Sequence, residues 1–160
     1  GLALAETRGE PPVDVDYDPS LPPVSAVRDH LVQVFLNILR NAVEAAGPAG
    51  RVRVRTRIQR LVTIGARLHR LALRVDISDD GPGVPRELQD RIFNAFFTTK
   101  PQGSGLGLAI VRKVVDAHDG RIDIQTGAGG TRFQVTLPVS GANDWFVPRS
   151  QGHARTTTDD

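Results

Sequence analysis

The chain has no cysteine and no methionine among its 160 residues, and only one Trp and one Tyr. Without a thiol, disulfides, thiolate nucleophiles and cysteine-based zinc sites are excluded, and an intracellular home is allowed without being required. No apolar run approaches the roughly 20 residues that a membrane-spanning helix needs, and no secretory leader pattern is visible. Charge of one sign is missing too. The 20 Lys+Arg and 18 Asp+Glu nearly balance, for a net charge of +2, which is no footprint for nucleic acid. What remains is ordinary for a globular domain with one core: 39% hydrophobic and 24% charged residues. A start at Gly1 without any methionine reads as a fragment of a longer protein.

The pattern along the chain is that of alternating strands and helices. Residues 1–12 are polar, close on Glu10-Pro11-Pro12 and read as a linker from an upstream domain. Val13 to Tyr17 alternates as a strand does. From about Ser25 onward Leu31, Val34, Phe35, Ile38, Leu39 and Ala42 recur at three- and four-residue steps, predicting a helix that stops at Gly47-Pro48. Arg51 to Ile58 alternates with period two, a strand with its arginines toward water. Leu71 to Ile77 is a second strand, with a hairpin turn around Ile64-Gly65-Ala66. Asp79-Asp80-Gly81-Pro82-Gly83 breaks the sheet. Pro85 to Ile92 reads as a short helix with proline in its first turn, and Leu106 to Ala117 as a longer one stopped by Gly120. Arg121 to Thr126 and Thr131 to Leu137 are the last strands. Residues 141–160 are expected to be a disordered tail, with Trp145 and Phe146 its candidates for docking. The domain proper is therefore expected over residues 13–140 as an α/β (α+β) two-layer sandwich, a mixed sheet with helices on one face.

Five constellations could carry chemistry. Asn37 and Asn41, four apart, stack on one side of a helix beside its apolar stripe. An amide oxygen there suits Mg²⁺ that also holds phosphate. Asp79 beside Gly81 and Gly83 offers a carboxylate that accepts from an exocyclic amine such as adenine N6, next to backbone that a flat ligand can approach closely. Gly103-Ser104-Gly105-Leu106-Gly107-Leu108 leads straight into a helix, and N–H groups at such a junction favour phosphate. It is neither a dinucleotide fingerprint, since Leu108 stands where the third glycine belongs, nor a Walker loop, since no Gly-Lys-Ser/Thr occurs. Phe93, Phe96 and Phe97 precede Thr98-Thr99-Lys100, where Lys100 can meet a terminal phosphate as a point charge, while Phe93 reads as core. Gly129-Gly130-Thr131 opens the last strand with a hydroxyl that can face a base. Each alone has a plainer reading as a solvated face, a turn or core packing.

Their order and spacing are more specific. Together they resemble the asparagine box, first glycine box, phenylalanine box, second glycine box and closing glycine-threonine of the histidine-kinase ATPase family, which includes gyrase, the Hsp90 chaperones and MutL. The resemblance covers residues 13–138. Tyr17 to Pro22, Gln33 to Asn37, the arginine hairpin, and Phe96-Phe97-Thr98-Thr99-Lys100 with a very short lid resemble sensor kinases of the nitrogen-regulating NtrB type. The resemblance implies a Bergerat-type fold that binds Mg-ATP between the asparagine helix and the glycine loops. By matching positions, Asn41 would hold Mg²⁺ with Asn37 assisting, and Asp79 would read the adenine amine. Gly81 and Gly83 would pass under the base, and Gly103 to Leu108 would wrap the phosphates. Lys100 would meet the γ-phosphate, Glu44, Thr98 and Thr99 would also belong to the ATP site, and Thr131 would line the base pocket. Where many members carry a basic residue and then an aromatic, this chain has Glu44 and Ala45, which alters one phosphate contact and one stacking contact.

The implied reaction is transfer of a phosphoryl group to a histidine, chiefly by positioning and charge neutralisation. His30, His69, His118 and His153 all lack the surroundings of a phospho-acceptor, so the acceptor is expected upstream, in a dimerisation domain that makes the whole protein a homodimer. A response regulator would receive the phosphoryl group, and a PII-type signalling protein is a further expected partner, with Phe97 and the lid as a guess for its contact. Nucleic acid and membrane are not expected to be partners of this domain, whose expected place is the cytoplasm. Three rivals share the boxes: an ATP hydrolase, a non-catalytic nucleotide sensor and a serine kinase of the anti-sigma type. Hydrolysis is disfavoured because the place of the water-activating glutamate holds Asn37, which takes no proton at neutral pH.

Overall fold

The computed structural model describes residues 9–20, 28–94, 107–139 and 145–146. Its elements are β1 (Val13–Asp16), α1 (Arg28–Ala46), β2 (Val52–Ile64), β3 (Arg67–Asp79), a single 3₁₀ turn (Arg86–Leu88), α2 (Gly107–Ala117), β4 (Arg121–Gly127), β5 (Gly130–Pro138) and β6 (Trp145–Phe146). The strands form one mixed sheet in the order β1-β2-β3-β5-β4. β1 runs parallel to β2, and the remaining neighbours are antiparallel. This is the expected two-layer α/β arrangement. The end of the expected linker packs onto the domain: Pro11 is fully buried, and Pro12 O accepts from Val52 N. β6 lies within the stretch expected to be a tail, and it pairs with Leu68 and His69 of β3.

Period decides which side of each element is buried. On α1, Val34, Ile38 and Ala42 repeat every four residues and are buried; on α2, Val111 and Val115 do the same. They meet Val52, Val75, Ile77, Phe133, Val135 and Leu137, which share one face of the sheet by strict alternation. Each fully buried side chain of this size contributes about 1.5–3 kcal/mol. The opposite face is polar. Asp16, Arg55, Asp76, Gln134 and Asp123 form one row across all five strands. Two of the arginines expected to face water, Arg55 and Arg57, share Asp16 there, and Arg74 and Arg121 each pair with an aspartate as well. Arg57 Nη2 lies 2.6 Å from Asp16 Oδ2, Arg74 donates twice to Asp76 at 3.1 and 3.0 Å, and Arg121 reaches Asp123 at 2.9 Å. Among the described residues both helices lie on the other face, against the apolar side of the sheet.

Several boundaries differ from the sequence reading. The β2–β3 hairpin keeps pairing from Arg60↔Leu71 out to Ile64↔Arg67, well beyond Ile58 and Leu71. The adjacent apolar residues Leu61 and Val62 hide the alternation, because Leu61 adopts φ 53, a kink within the strand. The segment after Pro85 forms only one 3₁₀ turn instead of a helix to Ile92. Ile92 is its sole buried apolar anchor, too little to hold longer helix. At the end of α2 the left-handed residue is Asp119 (φ 58), one place before the expected Gly120. Asp119 N and Gly120 N bond back to Asp116 O and Val115 O in a Schellman pattern. Gly120 serves a different purpose there: a Cβ on it would lie 2.6 Å from Thr136 O of β5.

Candidate functional site

Of the expected site residues that the structure describes, Asp79, Gly81, Gly83 and Thr131 lie together at the end of the sheet where β3 stops and β5 starts. Asp79 is the final residue of β3, still paired with Val52 on one side and Thr131 on the other, so the sheet breaks one residue later than expected. Its side chain is 8% exposed. Oδ1 accepts from Gly81 N at 2.9 Å, and the carboxylate also accepts from the backbone N–H of Thr131. Burial pushes its pKa above the ordinary aspartate value, and the neighbouring charge of Asp80 adds to this. The two backbone bonds only partly offset it. Asp80 faces the other way along the chain. Its Oδ1 accepts from Arg51 N at 2.8 Å, tying the turn to the start of β2.

The glycines explain how backbone comes so close to Asp79. Gly83 has φ +82, and a Cβ on it would strike Gly127 O. Gly130 has φ +126, and a Cβ there would strike Asp79 O. A Cβ on Gly81 would run into Ala45 O in the last turn of α1. The first glycine turn is thereby pressed between α1 and the β4–β5 hairpin. One residue on that hairpin escaped the sequence reading. Thr126 Oγ1 accepts from Val84 N at 2.8 Å and lies 2.9 Å from Thr131 Oγ1. Its position was legible: Thr126 and Thr131 flank the Gly127↔Gly130 pair of a hairpin with a two-residue loop, which sets them opposite one another on the core face.

Asn37 and Asn41 are half-buried on α1, on the side turned to α2, with exposed Glu44 one turn further on. Asn37 Nδ2 donates to Gly107 O at 3.3 Å, joining the asparagine helix to the first residue of α2. Gly107 opens α2, where the first N–H groups of a helix have no partner within the helix and attract anions. Leu108 packs its side chain against the core, which leaves its backbone N–H as what it can offer a ligand. Phe93 is core, as expected, edge-on to Phe133 with a centroid distance of 6.3 Å and with the Arg112 guanidinium 5.3 Å from its ring centre. Phe96, Phe97, Thr98, Thr99, Lys100, Gly103, Ser104, Gly105 and Leu106 lie outside the described residues.

Among the described residues, no three His, Cys, Asp or Glu side chains gather as a self-sufficient metal site. One amide oxygen, that of Asn41, is a fitting donor for an ion that arrives with other ligands already attached. A hard cation carried on phosphates is of that kind.

A buried carboxylate facing a glycine turn, an asparagine helix alongside it and a second helix opening on a glycine define a nucleotide-binding fold of the ATPase class. The chain belongs to the histidine kinase-, DNA gyrase B- and HSP90-like ATPase family, whose model matches residues 26–141. It is 44% identical over 125 residues to the sensory histidine kinase/phosphatase NtrB of Escherichia coli O157:H7, a match that covers 78% of this chain and 36% of that protein. The NtrB of Rhodobacter capsulatus is 44% identical over 131 residues, with the same coverage. The chain thus spans about a third of the length of these curated relatives. Among solved structures, the catalytic domain of histidine kinase ThkA is 33% identical at a TM-score of 0.65, covering 79% of each chain. The mycobacterial sensor histidine kinase MprB is 32% identical at 0.68, covering 85% of this chain and 87% of that one. Among the described residues no helix is long and apolar enough to cross a membrane.

Proposed function

We propose that this domain binds Mg-ATP and donates the γ-phosphoryl group to a histidine on a dimerisation domain of the same protein, for onward transfer to a response regulator. The observation that carries this reading is the buried Asp79 carboxylate in its glycine nest, with the Thr131 hydroxyl one strand away. A carboxylate that only accepts suits the N6 amine of adenine. Gly81 and Gly83 admit the flat base beside it. The N-terminus of α2, with Gly107 and Leu108, offers backbone N–H groups to the phosphates. In this reading Asn41 gives an oxygen to the Mg²⁺ that the nucleotide brings, and that ion neutralises phosphate charge. Asn37 holds α2 against α1, and Lys100, Thr98 and Thr99 approach the terminal phosphate. What these residues do is bind and orient, the main contribution a protein makes to phosphoryl transfer. Asn37 in place of a glutamate favours transfer over hydrolysis, since an amide does not take a proton from water. The full protein is proposed to work as a cytoplasmic homodimer in nitrogen signalling, with a PII-type protein as a regulator.

Calorimetric titration with a non-hydrolysable ATP analogue, with and without Mg²⁺, tests the reading. One-site binding that Asp79→Asn weakens at least tenfold, and whose Mg²⁺ dependence Asn41→Asp changes, is the expected result. Absence of binding at millimolar nucleotide would reduce the reading to a likeness of fold. Phosphate transfer to a separately made dimerisation domain tests the second half.

A further inference from the structure

The chain enters the domain through Pro11, Pro12 and β1, and it does so in the row of the candidate site. Register places Val13 beside Val52, Val52 beside Asp79, and Asp79 beside Thr131. Val52 is fully buried, and its N–H donates to Pro12 O at 3.2 Å. One residue back, Arg51 N donates to Asp80 Oδ1 at 2.8 Å, and Arg51 O accepts from Asp80 N at 3.3 Å. The start of β2 is held on one side by the entering chain and on the other by the aspartates where β3 ends. Without β1 this stretch would be a sheet edge, with the Val52 N–H left without its acceptor in a buried place. That is an unfavourable state, and fraying of β2 would relieve it at the expense of the bonds to Asp80.

Little apolar surface holds β1 down. It is four residues long. Val13 packs against the core, but Val15 is 41% exposed and Tyr17, just beyond the strand, 61%. What fastens it is polar. Asp16 Oδ2 takes Arg57 Nη2 at 2.6 Å and lies 3.6 Å from Arg55 Nε, while Arg57 Nη1 donates to Asp16 O at 3.2 Å. Asp18 N donates to Thr56 Oγ1 at 2.9 Å, and Asp18 Oδ2 accepts from Ile58 N at 3.2 Å. The ion pairs of Asp16 are solvated, and pairs of that kind each contribute little. A short edge strand fastened in this way belongs to the readily opened part of a domain.

We infer that β1 is a detachable strand whose docking is coupled to nucleotide binding. Nucleotide fixes Asp79 and the turn after it, which steadies the start of β2 and so holds β1 on the sheet. In the other direction, lifting β1 loosens the start of β2 and the turn bonded to it, and lowers nucleotide affinity. The two effects are one coupling and must be equal in size. Residues before β1 thereby gain a mechanical hold on the site that needs no contact with the nucleotide. The inference rests on the nucleotide reading given above and adds to it a route of regulation.

Amide hydrogen exchange on the whole chain, with and without a saturating non-hydrolysable ATP analogue and Mg²⁺, reads the coupling directly. Exchange over residues 13–18 and 51–53 is expected to slow about fivefold or more on binding, the lower end of usual couplings between sites. Exchange over residues 62–68, at the outer end of the β2–β3 hairpin, should keep its rate. Asp16→Arg, which sets like charge against Arg55 and Arg57, is expected to speed exchange in β1 and to weaken analogue binding about fivefold. Adding Arg55→Asp and Arg57→Asp, which restores opposite charges across the pair of strands, should recover most of both. Nucleotide that binds without slowing exchange in β1 overturns the inference. So does an Asp16→Arg variant whose β1 exchanges faster while its affinity stays at the wild-type value, since a merely structural strand would behave in that way. If Asp16→Arg does not fold, the exchange measurement on the unaltered chain still decides. A wild-type chain that binds no analogue at millimolar concentration brings down the nucleotide reading and the inference with it, an outcome distinct from binding that leaves β1 untouched.

Discussion

The two ends of β3 carry the same kinds of residue to opposite effect. At the Asp79 end, glycine is needed because there is no room: a Cβ on Gly83 or Gly130 would collide with a backbone oxygen, and both also have positive φ. At the Arg67 end, Gly65 also has positive φ (+61), but nothing lies within 4 Å of where its Cβ would be. Leu61, in a left-handed conformation in the paired strand, is 66% exposed. One end is crowded and closes over a buried carboxylate; the other is an open hairpin that tolerates irregularity. A glycine in sequence does not reveal which kind it is. Its neighbours in space do.

The largest effect should come from filling the crowded end. Gly83→Ala and Gly130→Ala each combine a left-handed penalty of about 1–2 kcal/mol with overpacking of about 1–3 kcal/mol. Together these amount to roughly 3 kcal/mol, a large share of a stability on the order of 5–15 kcal/mol. Gly65→Ala should cost only about 1 kcal/mol, the conformational part alone. Urea unfolding of the three variants checks the contrast. Equal losses at both ends would break it.

The next effect concerns charge at the crowded end. Asp79 is raised above the aspartate value of 3.8, mainly by burial. Below that value both folded and unfolded chains hold the proton, and ionisation costs the fold nothing. As pH rises past it, the unfolded chain ionises first while the folded carboxyl resists. The contribution of Asp79 to stability therefore declines until pH passes the raised value. Nucleotide acts in the opposite sense, since an amine needs the ionised acceptor, so binding expels the proton. Affinity for an ATP analogue should therefore begin to fall on acidification at a higher pH than an ordinary aspartate would allow. Titrations from about pH 7 to about pH 4, with Asp79→Asn as the baseline for titration of the phosphates, measure this. A wild-type curve parallel to that of the variant would show that Asp79 does not meet the base.

Most of the fold was legible in sequence because both periods are clean: three- and four-residue steps in α1 and α2, alternation in β1, β4, β5 and the first half of β2. It failed where one residue interrupted a period. Leu61 beside Val62 conceals the outer half of the hairpin, and Asp119 takes a conformation that sequence assigns to Gly120. Asp79 was chosen over Asp80 through the motif alone. The structure supplies the physical reason, since Asp80 is held by Arg51 N and Asp79 by Gly81 and Thr131. Thr126 was missed because its role depends on register across a hairpin, a relation that no linear motif encodes.

The smallest effect sharpens the comparison from the open end. A leucine at φ 53 costs about 1–2 kcal/mol relative to a residue at ease there, and asparagine is among the few side chains that accept this region. Leu61 is exposed and packs on little, so removing it forfeits almost no buried apolar surface. Leu61→Asn should therefore stabilise the domain by about 0.5–1 kcal/mol, part of the strain being offset by the lower strand preference of asparagine. ATP-analogue affinity should not change, because the kink lies at the far end of β3 from Asp79. Thermal melting and calorimetry on the same variant separate the two. A gain in stability with unchanged binding keeps the ends independent. A change in affinity would mean that strain stored at Leu61 reaches the carboxylate along β3, and the hairpin would then be part of the site's control rather than a tolerant appendage.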